Sequence, residues 1–357
     1  MRRFWNRRVL AGLFLVGVAV AIAATQVGSL QGPLPEGSAR NEPAPEFRGL
    51  AGWVNSPPLT VARLRGKVVL VDFWAYSCVN CVRTFPGLRA MYARYRPFGL
   101  EIVGMHSPEF AFEKQASNVR DAVARNDLPW PVALDNDMET WRAYRNHYWP
   151  HIYLIDAKGR VRFDHIGEGG EELIQTHVRS LLEENGATLP ASIDFAAGPT
   201  NALITPEIYA GLLRGAPAGS LGNPEGFRSD RVVDYAPVAG SAIEAAGTAG
   251  TFFVAGKWRA TDDYLEAAED GARVQLPFLA KDVFFVAAPG TGGVTEVRVT
   301  LDGKPVPGAQ LGADAKGGTV LVRRADLYRL LALPGRETHV LRMDVEAGFR
   351  LYTFTFG

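Results

Sequence analysis

The chain has 357 residues, 47% of them hydrophobic, and its 38 Lys plus Arg equal its 38 Asp plus Glu. That length holds two cores of ordinary domain size, and the balanced charge argues against a nucleic-acid binder. Two cysteines in total, Cys78 and Cys81, leave one internal disulfide possible, the short bridge between them.

The start is unlike the rest. Met1 to Arg8 carries four arginines, and Val9 to Ala24 is sixteen residues without a charge. This reads as a secretory signal, with Ala21-Ile22-Ala23 as a small-x-small cleavage site. Thr25 to Leu30 is uncharged as well and extends the run toward the roughly 20 residues of a membrane span, so residues 1–30 are expected to be a signal peptide or a retained anchor. Either form puts the remainder outside the cytoplasm, where disulfide exchange is at home. Residues 31–45, rich in Pro, Gly and Ser, read as a spacer.

The first folded unit is expected over residues 46–187. Val68 to Trp74 is apolar except for Asp72, as in a strand buried on both faces. Ala75 to Ser77 breaks it, and from about Val79 to Arg96 the apolar residues Val82, Phe85, Leu88, Met91, Tyr92 and Tyr95 recur at helical spacing, with Pro86 expected to kink the helix. Cys78 therefore falls at the N-terminus of a helix, where unpaired N–H groups and the helix dipole favour a thiolate. Cys81, one turn further in, is placed to resolve a mixed disulfide. Two readings compete: a purely structural disulfide or two inert thiols, although a four-residue loop gains little stabilisation, and half of a zinc site, which needs a second close pair of ligands where the six histidines form none. Further on, strands are expected at Leu100–His106, Val132–Leu134, Ile152–Ile155 and Val161–Ile166, and helices at Phe110–Arg125, Met138–Tyr144 and Glu171–Leu182. Together they make an α/β sandwich.

Residues 188–204 have little periodicity and several Gly and Pro, which marks an inter-domain linker. From 205 to 357 the pattern is all-β. Short strand candidates, among them Arg273–Leu279, Val283–Val286, Val294–Leu301 and His339–Met343, are separated by breaks such as Asp302-Gly303 and Pro334-Gly335, as in a β-sandwich without helices, with a barrel as the alternative. Phe252, Trp258, Phe278, Phe284, Phe285 and Tyr352 are expected to fill its core rather than form a ligand platform.

The segment Val71-Asp72-Phe73-Trp74-Ala75 followed by Cys78-x-x-Cys81 resembles the thioredoxin active site. The narrower likeness is to TlpA-like thioredoxins, and among them to the extracytoplasmic region of DipZ-type proteins. It rests on Trp74 to Cys81, Gly104 to Glu113, Tyr148 to Asp156, His165 to Gly169, Thr205 to Gly211 and Tyr352 to Gly357. The resemblance implies a thioredoxin-like fold followed by a carbohydrate-binding-module-type jelly roll, a cis peptide before Pro150 opposite the cysteines, and a reversible Cys78–Cys81 disulfide with no other cofactor. His151 departs from the small residue expected after that proline. DipZ-type proteins begin with a multi-span CcdA-like electron channel that this sequence does not carry, so a membrane electron donor would be a separate protein.

Cys78 is thus the expected nucleophile and Cys81 the resolving thiol, with Asp72 as a buried carboxylate relaying protons to and from Cys81. Trp74, Tyr76, Trp149, His151 and Glu168 are expected to frame the approach of substrate, and His106 and His151 could tune a thiolate by charge. The expected function is an exported thiol:disulfide oxidoreductase that reduces extracytoplasmic protein disulfides. The alternative is a cell-envelope protein whose β domain binds a glycan or a protein. A peroxidase fits less well, because no Thr-x-x-Cys arrangement precedes Cys78.

Overall fold

The computed structural model describes residues 41–195 and 203–357. The expected signal or anchor at 1–30, most of the spacer and residues 196–202 of the expected linker lie outside them. No helix among the described residues is long and apolar enough to cross a membrane.

The first region contains, in chain order, β1 (Glu42–Pro43), β2 (Gly52–Val54), β3 (Val68–Trp74), α1 (Val79–Tyr95), β4 (Leu100–His106), α2 (Ala116–Arg125), β5 (Val132–Leu134), α3 (Glu139–Ala143), β6 (His151–Ile155), β7 (Arg160–Ile166) and α4 (Glu171–Glu184). The sheet order is β1-β7-β6-β3-β4-β5-β2, with β3 parallel to β4 and antiparallel to β6. Every β3 residue is buried because both faces are covered. Val68, Leu70 and Trp74 pack with Phe85, Leu88 and Met91 of α1 and with Ile174 and Val178 of α4. Val69, Val71 and Phe73 point the other way, to Trp141 of α3 and to Tyr144 and Tyr153. Each such burial contributes roughly 1.5–3 kcal/mol.

Two expectations change here. The end of the supposed spacer is β1, whose Glu42 and Pro43 pair with Val161 and Arg160 of β7. The helix expected over Phe110–Arg125 is split into a 3-10 turn, Ala111–Lys114, and α2, because Gln115 adopts an extended conformation between them.

The second region holds β8 (Ile208–Tyr209), α5 (Leu212–Ala218), β9 (Val232–Tyr235), α6 (Gly240–Ala246), β10 (Phe253–Ala260), β11 (Leu265–Ala267) and β12 (Ala272–Ala288). It continues with β13 (Thr295–Leu301), β14 (Lys304–Pro305), β15 (Ala315–Lys316), β16 (Thr319–Val322), β17 (Asp326–Val345) and β18 (Arg350–Phe356). The ladders between these strands are antiparallel, and the expected sandwich is present. Its apolar core includes Phe252, Trp258, Phe278 and Phe285 as expected. The strand count per length was misjudged, however. Arg273–Leu279 and Val283–Val286 belong to the single strand β12, which passes Lys281 through a register shift between Ala280 and Asp282. Opposite, β17 runs through Pro334-Gly335, where pairing with β12 skips from Ala332 to Glu337, so that a proline without an N–H breaks no ladder bond. Two short helices, α5 and α6, are present where none was expected.

Candidate active site

β3 delivers the chain to the centre of the sheet, the turn Ala75–Ser77 lifts it, and α1 begins at Val79 with Cys78 as its N-cap. The Cys78 Sγ accepts a hydrogen bond from the Cys81 N–H at 3.2 Å, the interaction a helix start offers an anion. Cys78 and Cys81 are disulfide-bonded with their Cα atoms 5.3 Å apart. Cys78 is part-exposed and Cys81 is completely buried. The pair is asymmetric in the sense exchange requires, one sulfur reachable and one shielded.

Strand alternation puts Asp72 on the face of β3 that carries Leu70 and Trp74, the face on which Cys81 packs. Its carboxylate is fully buried with no hydrogen-bond partner, and burial pushes its pKa up to about 7. A group at that value takes or gives a proton near neutrality.

The Trp149-Pro150 peptide is cis. Pro150 is buried one residue before β6, and since His151 pairs with Phe73 it arrives beside the end of β3 where the turn toward Cys78 starts. Trp149 is part-exposed, packs on the core cluster that holds Cys81, stacks against Trp141 at 4.1 Å and donates its indole N–H to the Ser107 carbonyl at 2.9 Å. Glu168, between the positive-φ Gly167 and Gly169, forms an ion pair with Arg83 of α1 at 3.3 Å. Burial raises its pKa, and the Arg83 charge opposes that.

Three residues expected on the approach surface are not on it. Trp74 is fully buried, edge-on to Phe85 and His106. His151 is buried with its Nε2 3.0 Å from Asp164 and its Nδ1 2.5 Å from Asn146, so its ring braces β6 from behind. Tyr76 is covered by the second region, donating its hydroxyl to the Ala325 carbonyl at 3.2 Å while accepting from Asn118. A strand-end aromatic reads as surface in sequence because the chain that covers it lies about 250 residues away. His106 is buried between Trp74 and Tyr76, and burial drives its pKa down to about 3, so it stays neutral and supplies no charge to a thiolate.

Sequence reasoning missed two groups. Arg83 reaches the second region, 3.4 Å from the Phe356 carbonyl and 5.6 Å over the Phe284 ring. Glu113 is completely buried, and one of its oxygens accepts from both the N–H and the hydroxyl of Ser77, the residue before Cys78. Its only signal was its place at the end of the Gly104–Glu113 stretch, since a lone Glu ordinarily reads as solvated.

The AhpC/TSA family matches residues 41–164, and the family described as thioredoxin like C-terminal domain matches residues 205–357. The chain is 38% identical over 323 residues to the protein DipZ of Mycobacterium tuberculosis and, equally, to that of Mycobacterium bovis. The match takes in 88% of this chain and 43% of each DipZ protein. The thiol-disulfide oxidoreductase YkuV of Bacillus subtilis is 26% identical over 143 residues, which are 40% of this chain and 96% of YkuV.

Proposed function

We propose that the chain is a TlpA-like thioredoxin and a thiol:disulfide oxidoreductase working outside the cytoplasm as a reductant of protein disulfides. The observation that carries the reading is the part-exposed Cys78 at a helix N-terminus bonded to a fully buried Cys81.

In the reduced protein the Cys78 thiolate attacks one sulfur of a partner disulfide. A Cys78–partner disulfide forms and the other partner sulfur leaves as a thiolate. Cys81, giving its proton to the Asp72 carboxylate through water, attacks the Cys78 sulfur. The Cys78–Cys81 disulfide forms, the second partner thiolate leaves, and two electrons have passed to the partner. The part-exposed Trp149 and the backbone beside cis-Pro150 border the approach to Cys78, and Glu168 with Arg83 forms its charged rim. The reversible disulfide is the whole of the redox equipment in this scheme, and a separate CcdA-like membrane protein would restore the dithiol. No nucleic acid has a part in it. The export expected from residues 1–30 supports the location.

An aromatic strip exposed on one face of the sandwich would favour the glycan-binding alternative. Phe252, Trp258, Phe278, Phe285 and Tyr352 are buried, so a glycan on the C-terminal region would have to be held by other side chains.

Insulin reduction with dithiothreitol as electron source tests the exchange: Cys78→Ser is expected to fall to the uncatalysed rate, and Cys81→Ser to accumulate mixed disulfides that identify partners. Equilibration with glutathione tests the direction. A potential near the about −120 mV of a strong oxidant would overturn the reductant assignment.

A further inference from the structure

Glu113 is a buried carboxylate that the exchange scheme does not use. Four donors converge on it. Ser77 gives its N–H (3.1 Å) and its hydroxyl (2.7 Å) to Oε1, while the N–H groups of Glu109 (2.6 Å) and Phe110 (3.1 Å) point to Oε2. Three fixed N–H donors and one hydroxyl aimed at the two oxygens make an arrangement that an ionised carboxylate satisfies in full. Burial, with Glu109 nearby, pushes its pKa up to about 7 against those same hydrogen bonds.

The far side of this clamp is fixed by the C-terminal region. The Glu109 carboxylate accepts from the Tyr209 hydroxyl at 2.7 Å and from Arg214 at 2.6 Å, and a second Arg214 nitrogen donates to the Glu109 carbonyl at 3.1 Å. The Arg214 guanidinium lies 4.0 Å over the Tyr209 ring and 5.0 Å over Phe110. Phe110 and Phe112 meet Tyr352 edge-on at 5.1 Å and 4.8 Å. A continuous series of short contacts therefore runs from α5 and β18 through residues 109–113 to Ser77, which is bonded covalently to Cys78.

We propose that Glu113 is a positioning residue through which the docked C-terminal region sets the reactivity of the Cys78–Cys81 pair. The inference rests on the exchange reading above but concerns the pair itself rather than any partner. Coupling between sites is reciprocal. Whatever disturbs the Glu109–Arg214 contact changes the dithiol equilibrium, and the redox state of the pair changes how firmly the region docks.

The test uses the full chain and two measurements: the rate of Cys78 alkylation by iodoacetamide against pH in the reduced protein, and the equilibrium of the pair with glutathione. Glu113→Gln turns an amide NH2 toward one pair of donors whichever way it lies. It is expected to move the alkylation midpoint and to change the equilibrium constant about tenfold, equivalent to about 30 mV. Tyr209→Phe and Arg214→Ala, both in the other region, are expected to shift both readouts in the same direction, with Tyr209→Phe giving about a threefold change, as for the loss of one hydrogen bond. Tyr209→Phe decides the matter if Arg214→Ala loses its folded circular dichroism signal, since it removes a single hydroxyl. Wild-type values in Glu113→Gln would overturn the positioning role. Wild-type values in a folded Tyr209→Phe, beside a shifted Glu113→Gln, would overturn the coupling to the C-terminal region. Neither readout needs a protein substrate, so failure of the exchange reading, seen as failure of insulin reduction, is told apart from failure of the positioning role, seen as wild-type alkylation and equilibrium values in Glu113→Gln.

Discussion

In the first region, buried side-chain atoms of Asp72, Trp74, His106 and Trp130 are among those with no hydrogen-bond partner. In the C-terminal region, among the described residues, the Glu225 Oε2 and Arg329 Nε atoms alone are left so. An unsatisfied buried polar group costs about 1–3 kcal/mol. The first region carries more of that cost, at Ser56, Asn136 and Tyr144 as well as at Asp72 beside its cysteines, and the second packs Phe252, Trp258, Phe278 and Phe285 into an apolar core. The contrast separates a region built for chemistry from one built for stability, and it teaches that the two share one chain because the second supplies walls that the first does not have.

The largest effect belongs to the stable side. Phe285→Ala is expected to cost about 3–5 kcal/mol through loss of burial and the cavity left behind. In urea unfolding at about pH 4 and about pH 8, the two losses should agree. A loss strongly dependent on pH would break the comparison, since it would place titrating groups in the β core.

Asp72→Asn gives the opposite pattern. The folded protein holds the Asp72 proton up to about pH 7, while the unfolded chain releases it near 3.8. Between those values the unfolded state binds fewer protons, so rising pH favours unfolding. The penalty is absent below 3.8 and complete above 7. The variant should therefore match wild type at about pH 4 and be more stable at about pH 8 by an amount on the order of 4 kcal/mol. Its exchange rate should fall and lose its pH dependence near neutrality. Unchanged stability at the higher pH would show that Asp72 is solvated.

The smallest effect sharpens the boundary between the regions. Tyr76→Phe removes the hydroxyl shared by Ala325 and Asn118 and should cost about 1 kcal/mol. Hydrogen exchange should rise around residues 323–328 as well as around Tyr76. Protection lost at Tyr76 alone would mean that the regions open independently.

Much of the first region was legible because its signals are local. The apolar run of β3, the helical spacing of α1 and the two-residue gap between the cysteines each fit within a few turns of chain, and Pro150 was placed by resemblance. Asp72 stood out as a charge in an apolar strand. What escaped depends on contacts far apart in sequence. Tyr76 was expected on the approach surface although Ala325 covers it, Arg83 gave no signal because its partner Phe356 lies at the far end of the sequence, and Glu113 gave almost none because its donors come from two loops. In the second region Lys281-Asp282 and Pro334-Gly335 read as turns, since a register shift lets a strand carry such residues without losing its direction. Helices α5 and α6 are about two turns long, α5 with Gly215 and Pro217 and α6 opening on Gly240, too short for a periodic pattern to show.

Strand β12 pairs with β10 at Arg273–Gln275 and with β18 at Val283–Ala288, and β11 joins β10 to β18. The four strands thus form a closed circuit. A last strand ordinarily frays, because one neighbour holds it and its end is free. Here β18 is gripped on both sides, by β11 and β12, with β8 added at Thr353 and Phe354. Mechanically it behaves as a spar rather than a tail. The carbonyl that Phe356 presents to Arg83 is mounted on that spar, so the helix bearing the cysteines leans on a stiff support. A force that pulled the two regions apart would break the 3.4 Å Arg83–Phe356 contact while leaving the strand in its ladders.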